Sequence, residues 1–113
     1  MWRDDAHLLD MVIAARKVLR YASGIGAERF RQDEILQDAI VRNLQILGEA
    51  ARKISDDFRQ AHTEIPWSQI IGMRNRLVHE YFRIDVERVW ETVADDLPPL
   101  LLALEPLVPP EDV

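Results

Sequence analysis

The sequence predicts an all-α fold, an antiparallel bundle of four to five helices, and three observations carry that prediction. Apolar residues recur at helical spacing through most of the chain. No stretch alternates with a period of two for long enough to make a strand. Four Gly and six Pro among 113 residues leave few places where a helix must break. The length suits one domain spanning residues 1–113, since a chain of this size buries well over half of the surface it exposes when unfolded.

Leu8, Met11, Val12, Ala15 and Leu19 place a first helix from about Asp4 to Tyr21, with Asp4 or Asp5 as its N-cap. Ser23-Gly24-Ile25-Gly26 ends it. A longer stripe of Leu36, Ile40, Leu44, Leu47, Ala51 and Ile54 predicts the strongest helix, starting at Asp33. Asp56 to Glu64 is polar and reads as a short helix around Phe58 followed by a loop. Pro66 stands at the first position of the next helix, where its missing N–H costs nothing, and Trp67, Ile70, Ile71, Leu77 and Val78 form the apolar face. Gly72 in that helix is expected to let another backbone come close. Asp85 caps a further run through Val86, Val89, Trp90, Val93 and Leu97, and Pro98-Pro99 should kink or restart it before Leu100 to Leu104.

Hydrophobic residues at 48% and charged residues at 30% describe a globular chain rather than a disordered one. The start, MWRDDAHLLD, is acidic where a signal peptide would be basic and then apolar, and no apolar run nears the ~18 residues of a membrane span. The expected location is the cytoplasm, away from membranes. The absence of Cys excludes disulfides, cysteine nucleophiles and thiolate metal sites. A net charge of −6 argues against a broad coat of nucleic acid, which rests on many Lys and Arg neutralising phosphate, so any such contact must be local. His7 and His62 show no metal-ligand spacing with each other or with His79 and read as surface residues; no metal or cofactor is expected.

Anion-binding and proton-transfer groups concentrate in Gly72-Met73-Arg74-Asn75-Arg76-Leu77-Val78-His79-Glu80-Tyr81-Phe82, at the C-terminal end of the helix that begins near Pro66. Side chains advance ~100° per residue on a helix, so Arg74 and His79, five apart, diverge by ~140°. Either the helix ends or bends near His79, or a second copy supplies the missing group across a two-fold axis. Were the chain extended beyond His79, His79 and Tyr81 would share a side. An imidazole exchanges protons near neutrality, and an arginine stabilises charge growing on a phosphate. Such a set suits metal-free RNA cleavage by attack of a ribose 2′-OH on the adjacent phosphate. The plainer reading makes His79 a helix-end cap, Arg76 and Glu80 an ordinary i,i+4 pair, and Tyr81-Phe82 core packing. Glu49, near the edge of its helix's apolar stripe, is either solvated or a partly buried carboxylate paired with an arginine such as Arg42 or Arg76.

Residues Arg74-Asn75-Arg76-Leu77-Val78-His79-Glu80-Tyr81 resemble the R-x4-H-x-Y signature of the HepT-like branch of the HEPN family, the toxin half of HEPN/MNT toxin–antitoxin modules. Asn75 stands where the family tends to place a polar residue, and Ile46-Leu47-Gly48-Glu49-Ala50-Ala51 resembles the glycine–glutamate–alanine segment of the family's long second helix. The resemblance implies a metal-independent endoribonuclease with catalytic Arg74 and His79 in a cleft at a homodimer interface, and with Asn75 and Arg76 supporting or binding RNA. It also implies a nucleotidyltransferase antitoxin that attaches adenylates to Tyr81. The rival expectation is a non-catalytic helical module binding a nucleotide or a protein through the same arginines.

Overall fold

A computed structural model describes residues 2–80 and 83–109 of the protein, and every regular element among them is helical. Helix α1 (Trp2–Ala22) ends where Gly24 adopts a positive φ of 77°, a conformation that costs a glycine nothing. A short helix, α2 (Ala27–Gln32), follows. It escapes periodicity because six residues make fewer than two turns. Its Phe30 is fully buried and stacks at 5.1 Å on Trp90, and Arg31 bonds Glu87. Tertiary contacts therefore hold this segment helical.

Helix α3 (Glu34–Lys53) starts as the sequence predicts, the Asp33 carboxylate accepting the Leu36 N–H at 3.0 Å. Its apolar stripe of Ile40, Leu44, Leu47 and Ala51 is at most 1% exposed and forms the middle of the core. Ser55 caps α4 (Asp56–Ala61). Pro66 sits one place earlier than expected, as the N-cap of α5 (Trp67–His79), and its carbonyl accepts the Ile70 N–H. Asp85 caps α6 (Val86–Glu91), again as predicted. Beyond it the chain widens into a π turn (Thr92–Asp96), in which the Leu97 N–H reaches back five residues to Thr92, and then enters α7 (Leu97–Leu104) with both prolines in its first turn. Pro98 and Pro99 supply no N–H, and their rings crowd the preceding turn, which explains a restart rather than a straight run.

Two interhelical contacts define the chain directions. The Asp4 carboxylate at the start of α1 accepts from the Ser55 N–H at 2.9 Å and its hydroxyl at 2.7 Å, so α1 runs antiparallel to α3. The Gln45 amide donates to the Leu77 carbonyl while Gly48 lies against Arg74, so α5 runs antiparallel to α3 as well. Helix α3 is thus the centre strip of an α1–α3–α5 layer, and α7 closes against α1. Asp4 is not the N-cap of α1 that its position suggests. It lies inside the helix, 5% exposed, and ties α1 to the α3–α4 junction. Burial would push its carboxyl up, but the Ser55 hydrogen bonds outweigh this and hold it below the usual carboxylate range. No helix among the described residues is long and apolar enough to cross a membrane.

Candidate active site

Arg74 leaves α5 toward α3 because the seam has a hole there. A Cβ at Gly48 would lie 2.2 Å from the Cβ of Arg74, 2.8 Å from its Cγ and 3.2 Å from the Ile70 carbonyl oxygen. Only glycine lets the arginine stem pass. Gly72, which the sequence marks for a close approach, has nothing nearer than Arg76 Nη1 at 4.0 Å from such a Cβ. The close approach belongs to Gly48.

At the end of this path the Arg74 Nη2 meets Glu49 Oε2 at 2.9 Å, and Nη1 donates to Asn75 Oδ1 at 3.0 Å. The contact with Glu49 is an ion pair out of line for a hydrogen bond, which leaves Oε2 buried without a donor aimed at it. The other Glu49 oxygen accepts from Arg52 at 3.0 Å. Glu49 therefore pairs with Arg74 and Arg52, not with the Arg42 or Arg76 expected from sequence; the antiparallel register of α3 on α5 brings position 74 to it. The Arg52 hydrogen bond and the surrounding positive charges of Arg52, Arg74 and Lys53 hold the Glu49 carboxyl below the usual range, against the partial burial that would raise it.

Arg74 and Glu49 open onto a cleft of about 330 Å³ that runs across α1, α3 and α5, with His7, Arg42, Ile46, Lys53 and Val78 among its walls. His7 is half-buried here rather than a plain surface residue, and only the pairing of α1 with α3 could reveal it. His62 is half-buried too: its ring stacks 4.3 Å from Phe58 and its carbonyl accepts from the Trp67 indole. Among the described residues no cluster of three or more His, Asp or Glu could hold a metal ion.

His79 is exposed at the last position of α5. The helix runs unbroken from Arg74 to His79, so the ~140° between them persists within one protomer. Glu80 has φ −116° and ψ 29°, so it is not itself extended, and its carbonyl accepts the Arg83 N–H at 2.8 Å. Tyr81 and Phe82 lie outside the described residues, and so does the expected alignment of His79 with Tyr81. Arg76 makes no ion pair with Glu80; its exposed side chain turns away from Arg74, toward a second groove between α5 and α6–α7 that Arg83 and Arg88 also line. None of these three arginines pairs with another described residue through its side chain.

The site thus holds a half-buried arginine braced by a carboxylate in the middle of α5, and an exposed histidine at the end of the same helix. A family model described as ribonuclease HepT-like matches residues 11–107, so the chain belongs to the HepT-like ribonuclease family. It is 39% identical over 94 residues to a Thermococcus cleftensis protein named "Probable ribonuclease HepT", which covers 83% of this chain and 86% of the relative. It is 40% identical over 83 residues to a candidate RNase of Caldanaerobacter subterraneus (74% of each chain), and 35% identical over 100 residues to one of Methanocaldococcus jannaschii (88% of this chain, 92% of the relative). No solved structure matches the chain significantly.

Proposed function

We propose that this protein is a metal-independent endoribonuclease that acts as the toxin of a toxin–antitoxin pair. Family membership across residues 11–107 supports RNA as the substrate. The observation that carries the mechanism is the Arg74 guanidinium, held at a cleft while engaging only two of its contacts in the protein. A guanidinium has five N–H donors, so most remain for the scissile phosphate. His79 takes the proton from the ribose 2′-OH, the 2′ oxygen attacks phosphorus to form a 2′,3′-cyclic phosphate, and the bond to the 5′ oxygen breaks as that oxygen takes up a proton from water. Arg74 stabilises the charge growing on the phosphoryl oxygens. Asn75 braces Arg74, and Arg76 supplies a further phosphate contact.

The divergence of Arg74 and His79 on one straight helix favours a homodimer in which each site takes groups from both copies. Ile46 and Val78 are each 36% exposed and line the Arg74 cleft, and Ile13, one turn beyond Asp10 of that cleft, is 44% exposed. This apolar row suits the partner copy. Tyr81, two residues past His79 in sequence, is the position at which a partner nucleotidyltransferase would add adenylate, whose phosphate charge would compete with RNA.

The test is cleavage of RNA in the presence of a metal chelator by the native chain and by His79→Ala, with sedimentation at the assay concentration. Native cleavage, loss in the variant and a dimer are expected. Equal activity of the two proteins overturns the catalytic assignment, and a fully active monomer overturns the shared site. RNA bound but left intact would make the protein a binding module. Incubation with the partner nucleotidyltransferase and ATP, read by intact mass, should add adenylate at Tyr81 and stop cleavage.

A further inference from the structure

We propose that Gly48 and Glu49 form the positioning element of Arg74: Gly48 opens the path through the α3–α5 seam, and Glu49 sets the direction in which the guanidinium points. The proposal rests on the reading of Arg74 as the phosphate-binding group. An unrestrained surface arginine samples many rotamers, and all but a few would miss a phosphate bound at one place. The Arg74 side chain is only 19% exposed, because its Cβ and Cγ lie in the space that any side chain at position 48 would fill. Its stem is therefore fixed before the guanidinium begins.

The end is held by charge attraction to Glu49 Oε2, 2.9 Å from Nη2 and out of line for a hydrogen bond, and by the hydrogen bond from Nη1 to Asn75 Oδ1 at 3.0 Å. A carboxylate beside a phosphate-binding arginine carries an electrostatic penalty, since it repels the anion the arginine is to hold. Arg52 removes that penalty: it bonds the other Glu49 oxygen at 3.0 Å, so the three groups together retain one positive charge. Glu49 is itself anchored by Arg52 and does not follow the arginine about. Glycine in the middle of a long helix weakens it, and the following glutamate is only 32% exposed; both choices become intelligible once Arg74 is the group they serve. Glu49 touches no reacting atom in this scheme and acts through Arg74.

The experiment is a double-mutant cycle in the full-length chain with Glu49→Gln, Arg74→Ala and the pair of changes together. Affinity for a short RNA blocked with 2′-O-methyl groups is measured, with thermal unfolding alongside. Glu49→Gln should weaken RNA binding about ten-fold, as should Arg74→Ala, and the double variant should bind no worse than Arg74→Ala alone. Glu49→Asp, one methylene short of the guanidinium, should not restore binding. In Glu49→Gln the Arg74 guanidinium resonances should also show faster side-chain motion in relaxation measurements, and unchanged Arg74 dynamics would count against a positioning role. Native affinity in Glu49→Gln, or a full additional loss on top of Arg74→Ala, overturns the proposal. If the native chain neither binds nor cuts RNA, the ribonuclease reading fails by itself. The coupling between Glu49 and Arg74 in thermal unfolding then decides the clamp separately: a measurable coupling supports it and additivity overturns it.

Discussion

Arg74 and Arg76 are two residues apart on one helix, yet they live in different environments. Arg74 enters the seam with α3, where a missing side chain at Gly48 admits its stem and Glu49 and Asn75 hold its end. Arg76 lies on the far side of α5, in a groove shared with Arg83 and Arg88, and forms no side-chain pair with a described residue. The ~200° between them explains the split: one arginine faces the bundle and the other faces outward. A neighbouring element, not residue type, makes one arginine a braced, half-buried group and the other an exposed one.

The largest effect expected from this contrast is on catalysis. Arg74→Ala and His79→Ala should each reduce RNA cleavage by about 100-fold or more. His79→Ala should barely change the melting temperature, whereas Arg74→Ala should also lower it, because the stem packed at Gly48 and the partner of Glu49 are lost. Single-turnover cleavage together with thermal unfolding checks this. An Arg74→Ala protein with native rates would erase the distinction between the two arginines.

Next in size is the seam. Gly48→Val places branched carbons where Arg74 Cβ, Arg74 Cγ and a backbone carbonyl already stand, and overpacking of this kind costs about 1–3 kcal/mol. A domain of this size should then melt lower by several degrees, roughly 4–8 °C for each kcal/mol. Gly72→Ala, with nothing closer than 4.0 Å, should instead leave the melting temperature unchanged or raise it. Equal responses at the two glycines, measured by thermal unfolding, would break the assignment of the close approach to Gly48.

A smaller effect is expected at Arg76. Arg76→Ala should weaken RNA binding a few-fold, uniformly across sequences, and lower the slope of log affinity against log salt by about one, the signature of one phosphate contact made by a mobile charge. A loss as large as that of Arg74→Ala would show that Arg76 is just as closely engaged.

The smallest effect is on acid stability, and its sign follows from Glu49. Because its folded pKa lies below the unfolded value near ~4.3, its ionised form contributes stability that is fully present above that value and disappears as the pH falls through the folded pKa. Glu49→Gln should therefore be less stable than the native chain at pH 7, and the gap should narrow below about pH 4. Arg76→Ala should show no such narrowing. Denaturant unfolding across this window measures both.

Much of the fold follows from neighbours in sequence. The stripe from Leu36 to Ile54, the caps at Asp33 and Asp85, the stop at Gly24 and the restart at Pro98-Pro99 depend on spacing, on short side chains bonding a nearby N–H, and on the missing donor of proline. Those rules act over a few residues, so the chain alone determined the all-α class and put Arg74 and His79 on one helix. It also held the ~140° between them, which is a property of any straight helix. The tertiary structure decided everything that depends on which helix lies beside which. Asp4 became a buried tie to Ser55, 51 residues away, instead of a cap; Phe30 drew a six-residue segment into a helix; and Glu49 met Arg74 rather than Arg42 or Arg76. Periodicity shows which face of a helix is buried, but the partner of a residue on that face is set by the register between helices. That register is chosen by the close packing of the core as a whole, and the gap at Gly48 that admits the Arg74 stem is part of that packing.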